Sequence, residues 1–322
     1  MRSLLAAIPL IALTLTACAR STPAPAPSSG ERPRAEATSL FGEPLVSPEL
    51  PAEVRADREA RLAEAQAAAT AAPDDPDALI WLGRRIAYLG RHREAVDVYT
   101  RGIERFPRDA RFLRHRGHRY ITLRRFDLAT ADLEKAAELI AGRPDEVEPD
   151  GLPNAAGIPT STLQSNIWYH LGLAHYLQGD FDQSLRAYRE CLKVSNNPDM
   201  QVATRYWLYM TLRRLGRAAG SPEVAEVLEP VRLDMKILEN QAYHKLLLMF
   251  RGELPPEALL AAGGDDVDPA TTGYGVGNWY LVEGRKEEAV DLFAHVVETG
   301  PWSAFGAIAA EADLYRLGER RR

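Results

Sequence analysis

Cysteine is nearly missing from this chain: Cys18 and Cys191 are the two in 322 residues. A disulfide scaffold and a cysteine-built zinc cluster are thereby excluded. An excess of positive charge is also missing. The formal net charge is −6, which argues against nucleic acid as the partner of the whole protein. No apolar run approaches the roughly 20 residues of a membrane-spanning helix. The catalytic spacings Gly-x-Ser-x-Gly, His-Glu-x-x-His and Cys-x-x-Cys are absent, as is a phosphate-binding glycine loop. Nothing in the chain calls for a cofactor or a metal, and an enzyme is the least favoured reading. His115 and His118 could share a helix face, but no carboxylates stand at matching spacing. What is present is ordinary: 46% hydrophobic and 26% charged residues, the composition of a packed protein.

The N-terminus carries an address. Arg2 precedes an apolar stretch over 4–15, and the run ends in Leu15-Thr16-Ala17-Cys18. Such a segment is for targeting, not for folding. The ending resembles the lipobox of bacterial lipoproteins. That resemblance implies cleavage before Cys18, with diacylglycerol on its sulfur and an acyl chain on its amine. Several acyl chains anchor a protein stably, where one binds only marginally. The chain is then expected in the bacterial envelope, lipid-anchored and facing the periplasm. Ala19 stands where Asp would favour inner-membrane retention, so the resemblance points to the outer membrane. A plain secretory signal with an incidental cysteine is the alternative. Residues 19–50 are rich in Pro, Ser and Ala and read as a semi-extended linker. Residues 40–50 are more apolar and could pack on the body. Cys191 is left without an intramolecular partner and reads as a small buried apolar residue.

Self-comparison gives the strongest signal. Gly83 and Gly117 are 34 residues apart, as are Ala95 and Ala129, and Gly284 and Gly318. That period, with Leu82-Gly83, Gly90, Ala95, Tyr99 and Pro107 in the first unit, resembles the tetratricopeptide repeat. Units at 76–109, 110–143 and 165–198 carry the pattern well. The unit at 202–235 has Pro230 in its second helix, and 236–269 keeps only apolar spacing. The unit at 270–303 recovers Gly277, Tyr280, Gly284, Ala289 and Phe293. Residues 53–72 and 304–317 fall in phase as half-repeat caps. The resemblance implies an all-α fold over 51–322: a right-handed superhelical solenoid of about six helix pairs. One pair cannot bury its apolar face alone, so stacking is obligatory.

The array is interrupted once, at 144–164. Pro144, Pro149, Pro153 and Pro159 forbid a regular helix there, and Asp145, Glu146, Glu148 and Asp150 concentrate negative charge. A passive surface loop and a lid or partner-contact loop both remain open.

In arrays of this family the first helices line a concave face. The corresponding positions here give Arg84, Tyr88, Arg111, Arg114, His118, Asn166, Tyr169, Tyr176, Tyr206, Arg213 and Tyr274. An acidic protein would thus carry a basic, aromatic groove. Arginine forks suit carboxylates, and tyrosine offers rigid amphipathic area. Arg114, His118 and Asn166 loosely resemble a carboxylate clamp, although the family's Lys and Asn identities do not match. Exposed ion pairs give only about 0.2–1 kcal/mol each, and a micromolar ligand needs about 8. The expected partner is therefore a protein or peptide with both acidic and apolar groups. In the main reading the chain is an envelope scaffold acting through this groove. A receptor for an anionic small molecule or glycan is the alternative. An enzyme with an unrecognised site is third. Against the groove itself stands the plainer reading that these arginines face solvent or neutralise the chain's own acidic loop.

Overall fold

The computed structural model describes residues 35–261 and 269–319. The targeting segment, Cys18 and most of the linker lie outside the described residues. Fourteen helices occur among the described residues, in the expected order. A cap, α1 (Ala52–Ala71), precedes six pairs. These are α2 (Pro76–Tyr88) with α3 (His92–Arg105), α4 (Ala110–Thr122) with α5 (Phe126–Ile140), and α6 (Leu163–Gln178) with α7 (Phe181–Val194). Then come α8 (Pro198–Arg214) with α9 (Pro222–Leu228), α10 (Gln241–Phe250) with α11 (Pro256–Ala261), and α12 (Pro269–Val282) with α13 (Lys286–Thr299). The closing cap is α14 (Phe305–Leu317). The expected all-α solenoid of helix pairs is present.

Local chemistry explains the boundaries. Asp75 and Asp109 accept from the amides of Asp77 and Arg111 and so start α2 and α4. Thr162 and Ser165 form a reciprocal capping box on α6. Gly179, at φ +82°, ends that helix. Within four pairs, a glycine on the first helix faces a large residue 16 positions later: Gly83–Tyr99, Gly117–Leu133, Gly172–Tyr188 and Gly277–Phe293. A Cβ at Gly83 would lie 2.4 Å from the Tyr99 ring. The missing side chain is the space that the ring fills. The second helices of pairs four and five are short, and α9 ends two residues before Pro230, which cannot continue it. The buried Asp199 carboxylate instead accepts the amides of Leu238, Glu239 and Asn240 and pins the loop leading into α10.

Two features depart from the expectation. The packing anticipated for 40–50 starts earlier than expected and takes the form of a hairpin. Residues 37–38 (β1) and 44–45 (β2) form an antiparallel hairpin, with Ala37 opposite Leu45. It lies on both ends of the array. Ser47 Oγ donates to the Gly90 carbonyl at 2.7 Å, and Trp302 Nε1 donates to the Val46 carbonyl at 2.8 Å. Phe41 packs edge-on against Tyr315. The cause is apolar: Leu40 and Phe41 bury part of their surface against the main core.

The second departure is closure. Helix α14 packs on α6 as well as on α12 and α13. Glu311 of α14 reaches Arg124 of the α4–α5 turn at 2.7 Å, with both side chains 3% exposed. The other Glu311 oxygen accepts the Leu40 amide at 2.6 Å. Arg124 also donates to the carbonyls of Thr122 and Trp302, both at 2.8 Å. Its backbone is left-handed, φ +61°, the one non-glycine in that region among the described residues. Gly90 holds the equivalent place one period earlier, at φ +77°. That backbone costs an arginine about 1–2 kcal/mol relative to glycine.

Arg124→Gly therefore relieves strain yet leaves a buried carboxylate unpaired, which costs about 3–5 kcal/mol. The net expectation is destabilisation by about 2 kcal/mol or more, read as a lower thermal midpoint. Adding Glu311→Gln, which keeps an acceptor for Leu40, should recover most of the loss. A stabilised single variant would contradict the role given to this pair.

Candidate interaction site

The inner face is built by the first helices, as the repeat phase requires. It is not open. Tyr169, Tyr176, Tyr206 and Tyr274 are buried, as are Arg114, Asn166 and Arg213. The open groove expected from the sequence is corrected on this point: the chain's own segments fill it.

Two fillers do this. The first is the acidic insertion, which folds as a strap. Residues 146–148 run antiparallel to 161–163, through Leu163 N to Glu146 O at 2.9 Å and Glu148 N to Ser161 O at 3.2 Å. The strap then crosses the first helices of pairs one to three. Glu148 meets Arg114 at 2.9 Å and accepts from Asn166 Nδ2 at 3.1 Å. Arg84 donates to the Pro149 carbonyl at 2.8 Å, and Arg85 donates to the Gly151 carbonyl at 3.1 Å. Tyr88 lies against Gly151 so closely that a Cβ there would sit 1.9 Å from its hydroxyl. A cavity of about 200 Å³ remains beneath, lined by Ile80, Trp81, Arg84, Arg111, His115 and strap residues 146–149. The acidic insertion thus neutralises part of the basic face from within. The strap turns Val147, Leu152 and Ile158 outward, each more than half exposed.

The second filler is α14. Asp313 is fully buried, 2.8 Å from Arg214 and 2.6 Å from Arg316. Burial alone would raise its carboxyl, but the two guanidiniums hold it below the usual carboxylate range. The Tyr274 hydroxyl lies 2.8 Å from Asp313 and 2.8 Å from the Tyr176 hydroxyl. Tyr176 in turn donates to Asn278 at 3.1 Å. Tyr169 accepts from Trp207 at 2.8 Å and lies 3.1 Å from the Tyr243 hydroxyl. Tyr206 stacks near Tyr243. Arg213 pairs with Glu283 at 2.8 Å. These residues form a packed polar–aromatic interior, not a groove wall.

Arg111 is held by Asp109 and Asp77, at 2.6 and 2.5 Å. It borders an open basin with Phe106, Ile140 and Glu146. His118 is half-buried, its ring 4.4 Å from that of His170 and 5.3 Å from Phe305. The structure therefore unites Arg84, Tyr88, Arg114 and Asn166 under the strap. It places Tyr169, Tyr176, Tyr206, Arg213 and Tyr274 in the interior. Sequence phase missed Arg85 and Arg119. Arg119 is half-buried beside Arg84 and Arg114 and has one hydrogen bond, 3.5 Å to His92. Glu148 is the one carboxylate within ion-pair distance of Arg84, Arg114 or Arg119 among the described residues. Cys191 is buried as expected. Burial pushes its thiol up to about 11, against the lowering effect of the Thr204 hydroxyl at 3.2 Å.

Residues 165–198 match the family model for the tetratricopeptide repeat, so that unit is a tetratricopeptide repeat. No curated protein matches the sequence. Solved structures with a similar fold include YrrB, described as a tetratricopeptide protein with an unusual peptide-binding site. It is 15% identical, with 77% of this chain and 97% of that chain covered and a TM-score of 0.40. A tetratricopeptide repeat protein from Parabacteroides merdae is 15% identical, covering 80% and 93%, with a TM-score of 0.47. PilW, a type IV pilus biogenesis factor, is 14% identical, covering 79% and 90%, with a TM-score of 0.44.

Four inner histidines, His92, His115, His118 and His170, are kept neutral by burial first and by nearby arginines second. His92 and His170 fall to about 3. Their stability contribution is complete above the unfolded value near 6.5. It is lost as pH falls below that value, because the unfolded chain then takes protons that the folded chain refuses. Thermal midpoints should drop steadily between pH 7 and pH 5, before the carboxylates titrate. His170→Gln should flatten that slope, and an unchanged slope would rule out this histidine.

Proposed function

We propose that this protein is a lipid-anchored scaffold of the bacterial cell envelope that binds another protein, in a binding and not a catalytic role. The observation that carries the reading is the strap across pairs one to three. The inner face holds an extended acidic segment through a carboxylate and two backbone carbonyls, the way such a face would hold a partner's peptide. The outward Val147, Leu152 and Ile158 add apolar area beside it. Leu238, also exposed, joins them through Glu239, which accepts from Asn154 and Thr160 of the strap. Acidic and apolar recognition thus meet on one side of the array. The anchor rests on Cys18 and the lipobox resemblance, with the outer membrane preferred over the inner.

Mild cross-linking in the native envelope, followed by purification and mass spectrometry, tests the scaffold. One dominant partner should appear and should weaken several-fold with Leu152→Asp and Ile158→Asp, since a few anchor residues dominate interfaces. Equal recovery with the variants would remove this face from consideration. Cys18→Ser should release the chain from the membrane fraction, and continued membrane association would refute the anchor.

A further inference from the structure

We infer that the Arg84–Arg85–Arg114–Asn166 cradle is a binding site for an extended segment of the form Glu-Pro-x-Gly, now occupied by the chain's own residues 148–151. The inference rests on the scaffold reading and names what its inner face selects.

The recognition rule follows from the contacts. The first position must offer a carboxylate, because its two oxygens meet Arg114 and Asn166. The second and fourth positions are read through backbone carbonyls, by Arg84 and Arg85. Proline at the second position pre-sets an extended backbone and has no amide to satisfy, so less ordering is lost on binding. Glycine suits the fourth position, since a Cβ there would sit 1.9 Å from the Tyr88 hydroxyl and force that ring to move.

The strap is also an incomplete occupant. Glu148 reaches Arg114 alone of the three inner arginines, while Arg84 is met by the Pro149 carbonyl and Arg119 by His92. Buried Arg114 keeps its Nε without a hydrogen-bond partner. The Asp150 carboxylate, which could serve a cation, has a buried oxygen with no partner. A competing segment that seats a carboxylate against Arg84 or Arg119 can satisfy charge that the strap, with Asp150 held away from both, leaves over. The geometry makes the strap an internal competitor. The apparent affinity for an outside segment falls by the fraction of time the cradle is vacated.

The test uses a fluorescent peptide that copies residues 144–153 and compares full-length chains by anisotropy. Glu148→Gln with Gly151→Val loosens the strap and leaves every cradle residue intact. This opened variant should bind the peptide at least about tenfold more tightly than wild type, the change expected if the strap occupies the cradle most of the time. Arg84→Ala in the opened background should lose most of that gain, as should a peptide whose fifth residue, the copy of Glu148, is replaced by Gln. An opened variant that keeps its helical signal yet binds no better than wild type overturns the proposal. So does equal binding of a scrambled peptide. Should the double variant lose helix, Glu148→Gln alone carries the same comparison. Partner recovery from the envelope judges the scaffold reading separately. Tight peptide binding with no recovered partner leaves the cradle standing and removes the scaffold. A recovered partner without peptide binding does the reverse.

Discussion

The buried pair between Arg124 and Glu311 is the constraint on which the rest of the structure depends. It joins the turn after α4 to the last helix, 187 residues away in the chain. A ring closed at this point brings α14 onto α6 and puts Asp313 where Arg214, Arg316 and Tyr274 can reach it. The hairpin at 37–45 is fixed by the same carboxylate through Leu40. A buried ion pair is weak evidence for stability, because desolvating two charges offsets their attraction. Its effect here is registry: it specifies which helix end meets which turn. The left-handed backbone at Arg124 costs free energy that a glycine would save, so the side chain must contribute what the backbone loses.

Closure decides what the inner face can be. An open array would offer its tyrosines to a ligand. In this chain Tyr176 and Tyr274 bond to each other, to Asn278 and to Asp313, while Tyr169 bonds to Tyr243 and accepts from Trp207. The face divides in two as a result. From Tyr169 of pair three onward the inner side chains turn into a core. Arg84, Arg85, Arg114 and Asn166 keep a basic surface, covered by an acidic strap that is itself built on backbone pairing at 146–148. The anionic protein and its basic interior are thereby two parts of one arrangement.

The fold was largely legible. The 34-residue spacing of Gly83 and Gly117 is a packing requirement, since each glycine admits a large residue 16 positions on. Helix starts at Asp75, Asp109 and Thr162 follow from capping chemistry that needs only local sequence. Repeat phase singled out first-helix positions, of which Arg84, Tyr88, Arg114 and Asn166 lie under the strap. It could not tell whether the superhelix closes, because closure depends on the summed rotation of six pairs and on contacts far apart in sequence. The expected open wall therefore became an interior from Tyr169 onward. One signal was available: Arg124 stands one period after Gly90, where a left-handed residue is needed and glycine is the cheap choice. The hairpin left no such trace, since its strands are two residues each. The role of Glu148 was visible as charge complementarity between the insertion and the inner arginines, but its partner among them was not.

Hydroxyl-radical footprinting of the intact chain tests the closed interior most directly. The account predicts that Tyr176, Tyr206 and Tyr274 resist labelling as fully as the buried Trp207, while Tyr315, 56% exposed, is labelled readily. Inner tyrosines labelled at the rate of Tyr315 would mean that the face stands open, and would contradict the account.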